Sequence, residues 1–194
     1  MVYDALAESI ALIETGALHP ILRLSRRRRF VPMAMDVAGD IAATMFLRRG
    51  AGCVHEEVWQ LSLRDGQWRM LGGGGGTSDD EARLADRPES LPQEMHSPWS
   101  TLSGIDPQVL AGGGSAGGVH DSGGRNGLFP WSGRWISYTT LFASARVHTI
   151  HAANRDIAVP WHGRTLVTWV GRRPPKVSAY DASGRCLGTA QIPR

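Results

Sequence analysis

The stretch HEEVWQLSLRDGQWRML, residues 55–71, decides the fold class that we expect for this chain. From Trp59 to Leu63 apolar residues alternate with polar ones, a period of two that is typical of a half-buried strand. Asp65-Gly66 follows, a pair that favours a tight turn between antiparallel strands, and Trp68 opens the next strand. The stretch therefore predicts an amphipathic β-hairpin.

A helix is predicted near the start of the chain. Leu6, Ile10 and Ile13 recur at helical spacing, which indicates an amphipathic helix over residues 4–15. Asp4 is a suitable N-cap and Gly16 a suitable stop signal.

Two further strands are predicted between this helix and the hairpin. Apolar residues alternate from Val31 to Val37 and again from Ile41 to Leu47, with a turn at Gly39-Asp40. Residues 1–72 are thus expected to form one helix followed by an antiparallel meander.

Residues 73–133 read as an acidic connector rich in glycine, proline and serine. The glycine run Gly72–Gly76 stands at its start, and Thr77-Ser78-Asp79-Asp80 follows where a phosphate-binding loop needs lysine and a hydroxyl residue. We therefore interpret the run as a flexible linker and expect the connector to be largely disordered. Short helices are predicted near residues 81–86 and 106–111.

Residues 134–194 predict a small all-β sandwich or barrel. Short strands alternate with turn signals such as Ala153-Asn154, His162-Gly163 and Ser183-Gly184. The expected fold class for the whole chain is α+β, with an N-terminal helix and meander, a long flexible connector and a C-terminal β domain.

Charge is distributed unevenly among the three segments. The net formal charge is +1 over residues 1–72 and −5 over residues 73–133. Residues 134–194 hold nine basic residues against two acidic ones, a net charge of +7. A basic segment favours an acidic protein partner or nucleic acid, or neutralises the acidic connector within the molecule.

The composition also shapes expectations about location and cofactors. Acidic residues interrupt the N-terminus, and no apolar run reaches the roughly 20 residues needed to cross a bilayer. Two distant cysteines, Cys53 and Cys186, do not make a disulfide framework. We expect a soluble, cytoplasmic protein without cofactor, metal or membrane span. His148 and His151 would point to opposite faces of a strand, which does not suit a zinc site with His162.

Residues 55–71 resemble the closing hairpin of the nuclear-transport-factor-like superfamily, whose members are α+β cones with helices packed on a curved antiparallel sheet. The order of helix and meander in residues 1–72 is similar to that family more loosely. The resemblance implies a cone with a pocket, and the family includes both enzymes and non-catalytic binding modules. The stretch KVSAYDASGRCLG, residues 176–188, looks like a strand pair of an immunoglobulin-like sandwich.

Two groups of candidate site residues emerge. His55 and Glu57 lie two apart on a predicted strand and share one face, with Asp36 on what we expect to be a neighbouring strand; a histidine among carboxylates suits acid–base chemistry. The second group consists of arginines that suit anionic ligands: Arg26, Arg27, Arg28, Arg29, Arg172 and Arg173.

Three functions stay open on this basis. The preferred one is a non-enzymatic binding or protein-interaction module that engages an unknown protein partner or a second copy of itself. The alternatives are a small-molecule ligand-binding protein or acid–base enzyme of the cone type, and a nucleic-acid binder that uses the basic C-terminal segment with its tryptophans.

Overall fold

A computed structural model of the chain describes residues 3–21, 23–78, 84–91, 100–105, 108–112, 118–120 and 134–193. These residues form a mixed α+β fold that is rich in antiparallel strands, as predicted. The elements in chain order are α1 (Ala5–Thr15), β1 (Phe30–Ala38), β2 (Ile41–Arg49), β3 (Val54–Arg64), β4 (Gln67–Ser78), β5 (Ser100–Thr101), β6 (Val109–Ala111), β7 (Gly118–His120), β8 (Arg134–Ala143), β9 (Thr149–Ala152), β10 (Arg155–Ala158), β11 (Arg164–Val170), β12 (Lys176–Tyr180) and β13 (Cys186–Gln191).

The predicted N-terminal helix is confirmed together with both of its caps. The Asp4 carboxylate accepts hydrogen bonds from the backbone N–H groups of Leu6 and Ala7, at 3.0 and 3.1 Å. Gly16 ends the helix in a left-handed conformation, with φ of 63°, and its N–H donates to the Leu12 carbonyl. Both caps satisfy backbone groups that a helix end otherwise leaves without partners.

The first sheet is the predicted meander, with strand order β1-β2-β3-β4. Asp65 and Gly66 connect β3 to β4, and both have positive φ, 50° and 75°. This is the geometry of the tight hairpin turn that their sequence favours. Helix α1 packs on one face of this sheet, where the Ser9 and Thr44 hydroxyls lie 2.7 Å apart.

A β-bulge in β1 alters the pattern of faces that the alternation from Val31 to Val37 predicts. The register with β2 shifts between Pro32 and Ala34, so Met33 is the extra residue. Val31 and Met33 pack in the core, whereas Met35 lies on the helix side, and a Cβ at Gly16 would be 3.6 Å from its Cε. Asp36 consequently points into the protein interior. Without the bulge, the alternation would place Asp36 on the face opposite to the buried Val31 and Met33.

The prediction of a flexible linker at Gly72–Gly76 is wrong. All five glycines lie in β4 and pair with β3, from Gly72 opposite Gln60 to Gly76 opposite Glu56. Backbone hydrogen bonds to the neighbouring strand β3 hold the glycines in a strand conformation. This pairing outweighs the poor intrinsic strand propensity of glycine.

Two further sheets pack face to face. The second has the order β11-β8-β6-β5, with β7 also paired to β8, and the third has the order β10-β9-β12-β13. One apolar cluster joins them and includes Leu141, Val167, Ile150 and Val177. The described strands form open sheets and not a closed barrel.

The helix predicted near residues 106–111 is wrong, because Val109–Ala111 form strand β6. Val109, Leu110 and Ala111 are buried and pair with β8. A buried segment of three apolar residues does not distinguish strand from helix by periodicity, and the neighbouring β8 decides the outcome. The other predicted helix, near residues 81–86, lies partly outside the described residues.

The first and second sheets share a hydrophobic cluster. Met33, Met45 and Val58 of the meander pack in it with Tyr138 of β8 and Leu166 of β11. The N-terminal and C-terminal parts of the chain are therefore in direct contact. The predicted boundaries near residues 72 and 133 stay predictions.

Candidate functional site

The structure does not bring the three acid–base candidates together. His55 and Glu57 lie on β3, and Asp36 lies on β1 with β2 between them, so Asp36 is not on a neighbouring strand as predicted. Asp36 is also on the interior face, whereas Glu57 lies on the face that carries Tyr3 and Phe46. A carboxylate on the other side of the sheet cannot assist His55 in proton transfer.

His55 and Glu57 each interact with a different residue: Glu57 binds Arg48, and His55 lies near Cys53. Arg48 binds the Glu57 carboxylate through Nε and Nη2, at 2.8 and 2.7 Å from Oε1. His55 Nε2 lies 3.7 Å from the Cys53 sulfur. His55 and Glu57 line an open groove of about 400 Å³ together with Trp59 and the β4 residues Gly73–Gly76. This groove is neither an enclosed pocket nor a filled sheet face.

Asp36 is part of a buried ion pair that connects the two halves of the chain. It is 5% exposed, and Arg155 binds it with Nε at 3.2 Å and Nη2 at 2.7 Å. The Thr168 backbone N–H donates a third hydrogen bond to the same carboxylate, at 2.7 Å. These donors satisfy the buried carboxylate of Asp36 and connect β1 to β10 and β11.

His162 is buried between the two halves of the chain. Its Nε2 lies 2.9 Å from the Met33 carbonyl, and its Nδ1 accepts the Arg164 N–H at 3.0 Å. These contacts assign the proton to Nε2. Burial lowers the pKa of His162 to about 4, and the nearby guanidinium groups of Arg164 and Arg87 act in the same direction.

The four consecutive arginines Arg26–Arg29 form an exposed loop just before β1, which we call the arginine loop. The loop is a closed turn, because the Ser25 N–H donates to the Arg28 carbonyl at 2.9 Å and the Ser25 hydroxyl accepts the Arg28 N–H at 3.0 Å. The Arg49 N–H binds the Arg29 carbonyl at 2.7 Å and fixes the loop to β2. The arginine loop therefore has a defined backbone.

The arginine loop borders a groove of about 420 Å³, within the range of small-ligand pockets, which we call the arginine groove. Its lining combines cationic and apolar side chains: His19, Ile21, Arg27, Arg28, Arg29, Phe30 and Pro32. Two of the apolar lining residues are themselves packed against other parts of the protein. Ile21 packs against the shared core, and the Tyr3 ring lies 4.9 Å from the Phe30 ring.

None of the four arginines pairs with a carboxylate among the residues that the structure describes. Positive charges on neighbouring residues of one loop repel one another, and a bound anion relieves that repulsion. The arrangement suits a ligand that carries negative charge next to an apolar group.

Arg172 and Arg173 lie at a different end of the molecule. Strand β11 follows β1 in the same direction, since His162 contacts Met33 and Thr168 contacts Asp36. The arginine loop precedes β1, whereas Arg172 and Arg173 follow β11. The two predicted groups of arginines therefore form separate surfaces.

The apolar lining of the arginine groove was not predicted from the sequence. Ile21, Phe30 and Pro32 carry no motif, and only the path of the chain places them beside the arginines. Among the described residues no set of three or more histidine, cysteine or carboxylate side chains is placed to hold a metal ion. Within the same part of the chain, no helix has the length and apolar character that a membrane span requires.

Comparison with protein-family models, with curated proteins and with solved structures yields no match for this chain.

Proposed function

We propose that the protein is a non-enzymatic binding module that takes an acidic protein segment into the arginine groove. The observation that carries this proposal is the loop of four exposed arginines without carboxylate partners among the described residues, beside apolar side chains. Arginine forms two-pronged hydrogen bonds with carboxylates, and its planar group also packs on apolar surfaces.

The groove suits recognition through side chains and not through strand addition. Pro32 lies in β1, an edge strand of the first sheet, and has no N–H to offer to an added strand. We therefore expect acidic side chains to bind the arginines while one bulky apolar side chain of the partner packs on Ile21 and Phe30.

The fixed backbone of the arginine loop favours such binding. Its turn is closed by Ser25 and connected to Arg49, so less conformational entropy is lost when a partner binds. The enzyme alternative has less support, since Asp36 is remote from His55 and since Arg48 binds Glu57.

The test is fluorescence anisotropy with a labelled polyglutamate peptide that has a central tryptophan, and with its twin that has a central glycine. We expect the tryptophan peptide to bind more tightly by about tenfold or more, because only it fills the apolar part of the groove. Affinity for both peptides should fall with added salt.

The matched variants are Arg27→Ala/Arg28→Ala/Arg29→Ala and Arg172→Ala/Arg173→Ala, which both remove exposed positive charge. The first should abolish binding and the second should leave it unchanged. Equal loss in both variants, or no binding by the wild-type protein, would contradict the proposed function. Equal affinity for the two peptides would contradict the apolar contact alone.

A further inference from the structure

An exposed tryptophan lies beside the second pair of arginines. Trp135 is 43% exposed, and Val170, also among the exposed large apolar residues of the described chain, is 37% exposed. The Gly171 N–H donates to the Trp135 carbonyl at 2.6 Å, which places Trp135 beside the connection that follows β11. Val170 is opposite Ile136 and therefore points to the other face of the sheet. Trp169, by contrast, is buried in the core, and the Trp161 indole N–H donates to the Leu84 carbonyl.

Three basic side chains follow the end of β11 in the chain. Arg172 and Arg173 are exposed in the connection from β11 to β12, and Lys176 is exposed at the start of β12. None of the three forms an ion pair with a carboxylate in the described part of the chain. We call Trp135, Arg172 and Arg173 the tryptophan platform.

The connection that carries these arginines is held at both ends. Gly171 has φ of 101°, a conformation that favours glycine, and the Ser137 hydroxyl donates to its carbonyl at 3.2 Å. On the other side, the Gln191 side-chain amide donates to the carbonyls of Pro174 and Pro175, at 2.7 and 3.1 Å. The arginines are therefore presented from a turn of defined shape.

We propose that the tryptophan platform binds single-stranded nucleic acid. An exposed indole offers a face on which a base stacks whatever its identity, and arginines beside it neutralise the phosphates. A stacked base needs a strand that is not paired, so single strands are favoured over duplex. The net charge of +7 over residues 134–194 increases the attraction at long range.

The experiment is fluorescence anisotropy of labelled oligothymidylate of about 15 nucleotides, a length that covers typical single-strand sites. A duplex of the same length and the polyglutamate peptide are measured in parallel over a salt series. We expect the single strand to bind more tightly than the duplex, with an affinity that falls steeply as salt increases.

Variants separate stacking from charge. Trp135→Ala should weaken single-strand binding by about tenfold or more, and Trp135→Phe, which keeps an aromatic face, should restore most of it. Arg172→Ala/Arg173→Ala should reduce the slope of log affinity against log salt by about 1.4, since each phosphate contact on a single strand contributes about 0.7. Arg146→Ala removes an exposed arginine elsewhere and should leave binding unchanged.

Three results would overturn the proposal. The first is an absence of oligonucleotide binding. The second is equal affinity for single strand and duplex with no effect of Trp135→Ala, which would indicate charge attraction without a platform. The third is polyglutamate binding that depends on Trp135 and Arg172, which would assign the surface to an acidic protein instead.

Discussion

At the scale of single residues, His162 couples stability to pH. Its pKa is about 4 in the folded protein, whereas an unfolded histidine has a pKa near 6.5, so protons bind preferentially to the unfolded chain. The stabilising contribution is complete above pH 6.5 and is lost as pH falls towards 4. The difference in pKa corresponds to roughly 3 kcal/mol.

We therefore expect urea denaturation to show a steeper loss of stability between pH 6.5 and 4 in the wild-type protein than in His162→Gln. The variant should be less stable at pH 7, because it loses the contacts with Met33 and Arg164. His148→Gln, which changes an exposed histidine, serves as the control and should keep the wild-type slope. An unchanged slope in His162→Gln would show that other groups set the pH dependence.

Asp36 provides a second prediction at this scale. Asp36→Ala leaves Arg155 and the Thr168 N–H without their acceptor, and breaking such a buried pair costs about 3 kcal/mol or more. The comparison is Arg69→Ala, which removes an exposed pair with Asp65 and should cost less than about 1 kcal/mol. Similar losses of unfolding free energy in the two variants would contradict a structural role for Asp36.

At the scale of elements, the glycines of β4 are not equivalent. An added Cβ at Gly75 would clash with the Glu56 carbonyl oxygen, whereas one at Gly76 would meet nothing within 4 Å. Gly75→Ala should therefore destabilise the protein by about 1–3 kcal/mol. Gly76→Ala should stabilise it by about 0.4–1 kcal/mol, because alanine restricts the unfolded chain. Thermal denaturation of both variants tests this, and equal effects would contradict the pairing of β4 with β3.

The elements also show what local sequence determines. The helix and the hairpin follow from short-range signals, namely Asp4, Gly16 and Asp65-Gly66, and both were predicted. The bulge at Met33 and the strand at Gly72–Gly76 depend on pairing with another strand, which local patterns do not encode. The arginines were predicted as candidates because they are consecutive in the sequence. Phe30 and Ile21 were not predicted, because only the fold places them beside the arginines.

At the scale of the whole molecule, the two basic surfaces lie at opposite ends of β1 and β11, which pack against each other and run in the same direction. The arginine loop precedes β1, and the tryptophan platform follows β11. Surface charges farther apart than about 10 Å are largely screened at 0.1 M salt, so we expect the two surfaces to act independently. Saturating polyglutamate should leave the affinity for oligothymidylate unchanged at that salt concentration, as measured by anisotropy. Mutual competition would instead indicate a single shared anion site.

The most direct measurement for the proposed function is an NMR titration of the isotopically labelled protein with the tryptophan-containing polyglutamate peptide. The account predicts that the largest shifts occur at the backbone amides of Arg27, Arg28, Arg29 and Phe30, with smaller changes at Ile21. Shifts concentrated at Arg172 and Arg173, or spread evenly over all exposed arginines, would contradict it.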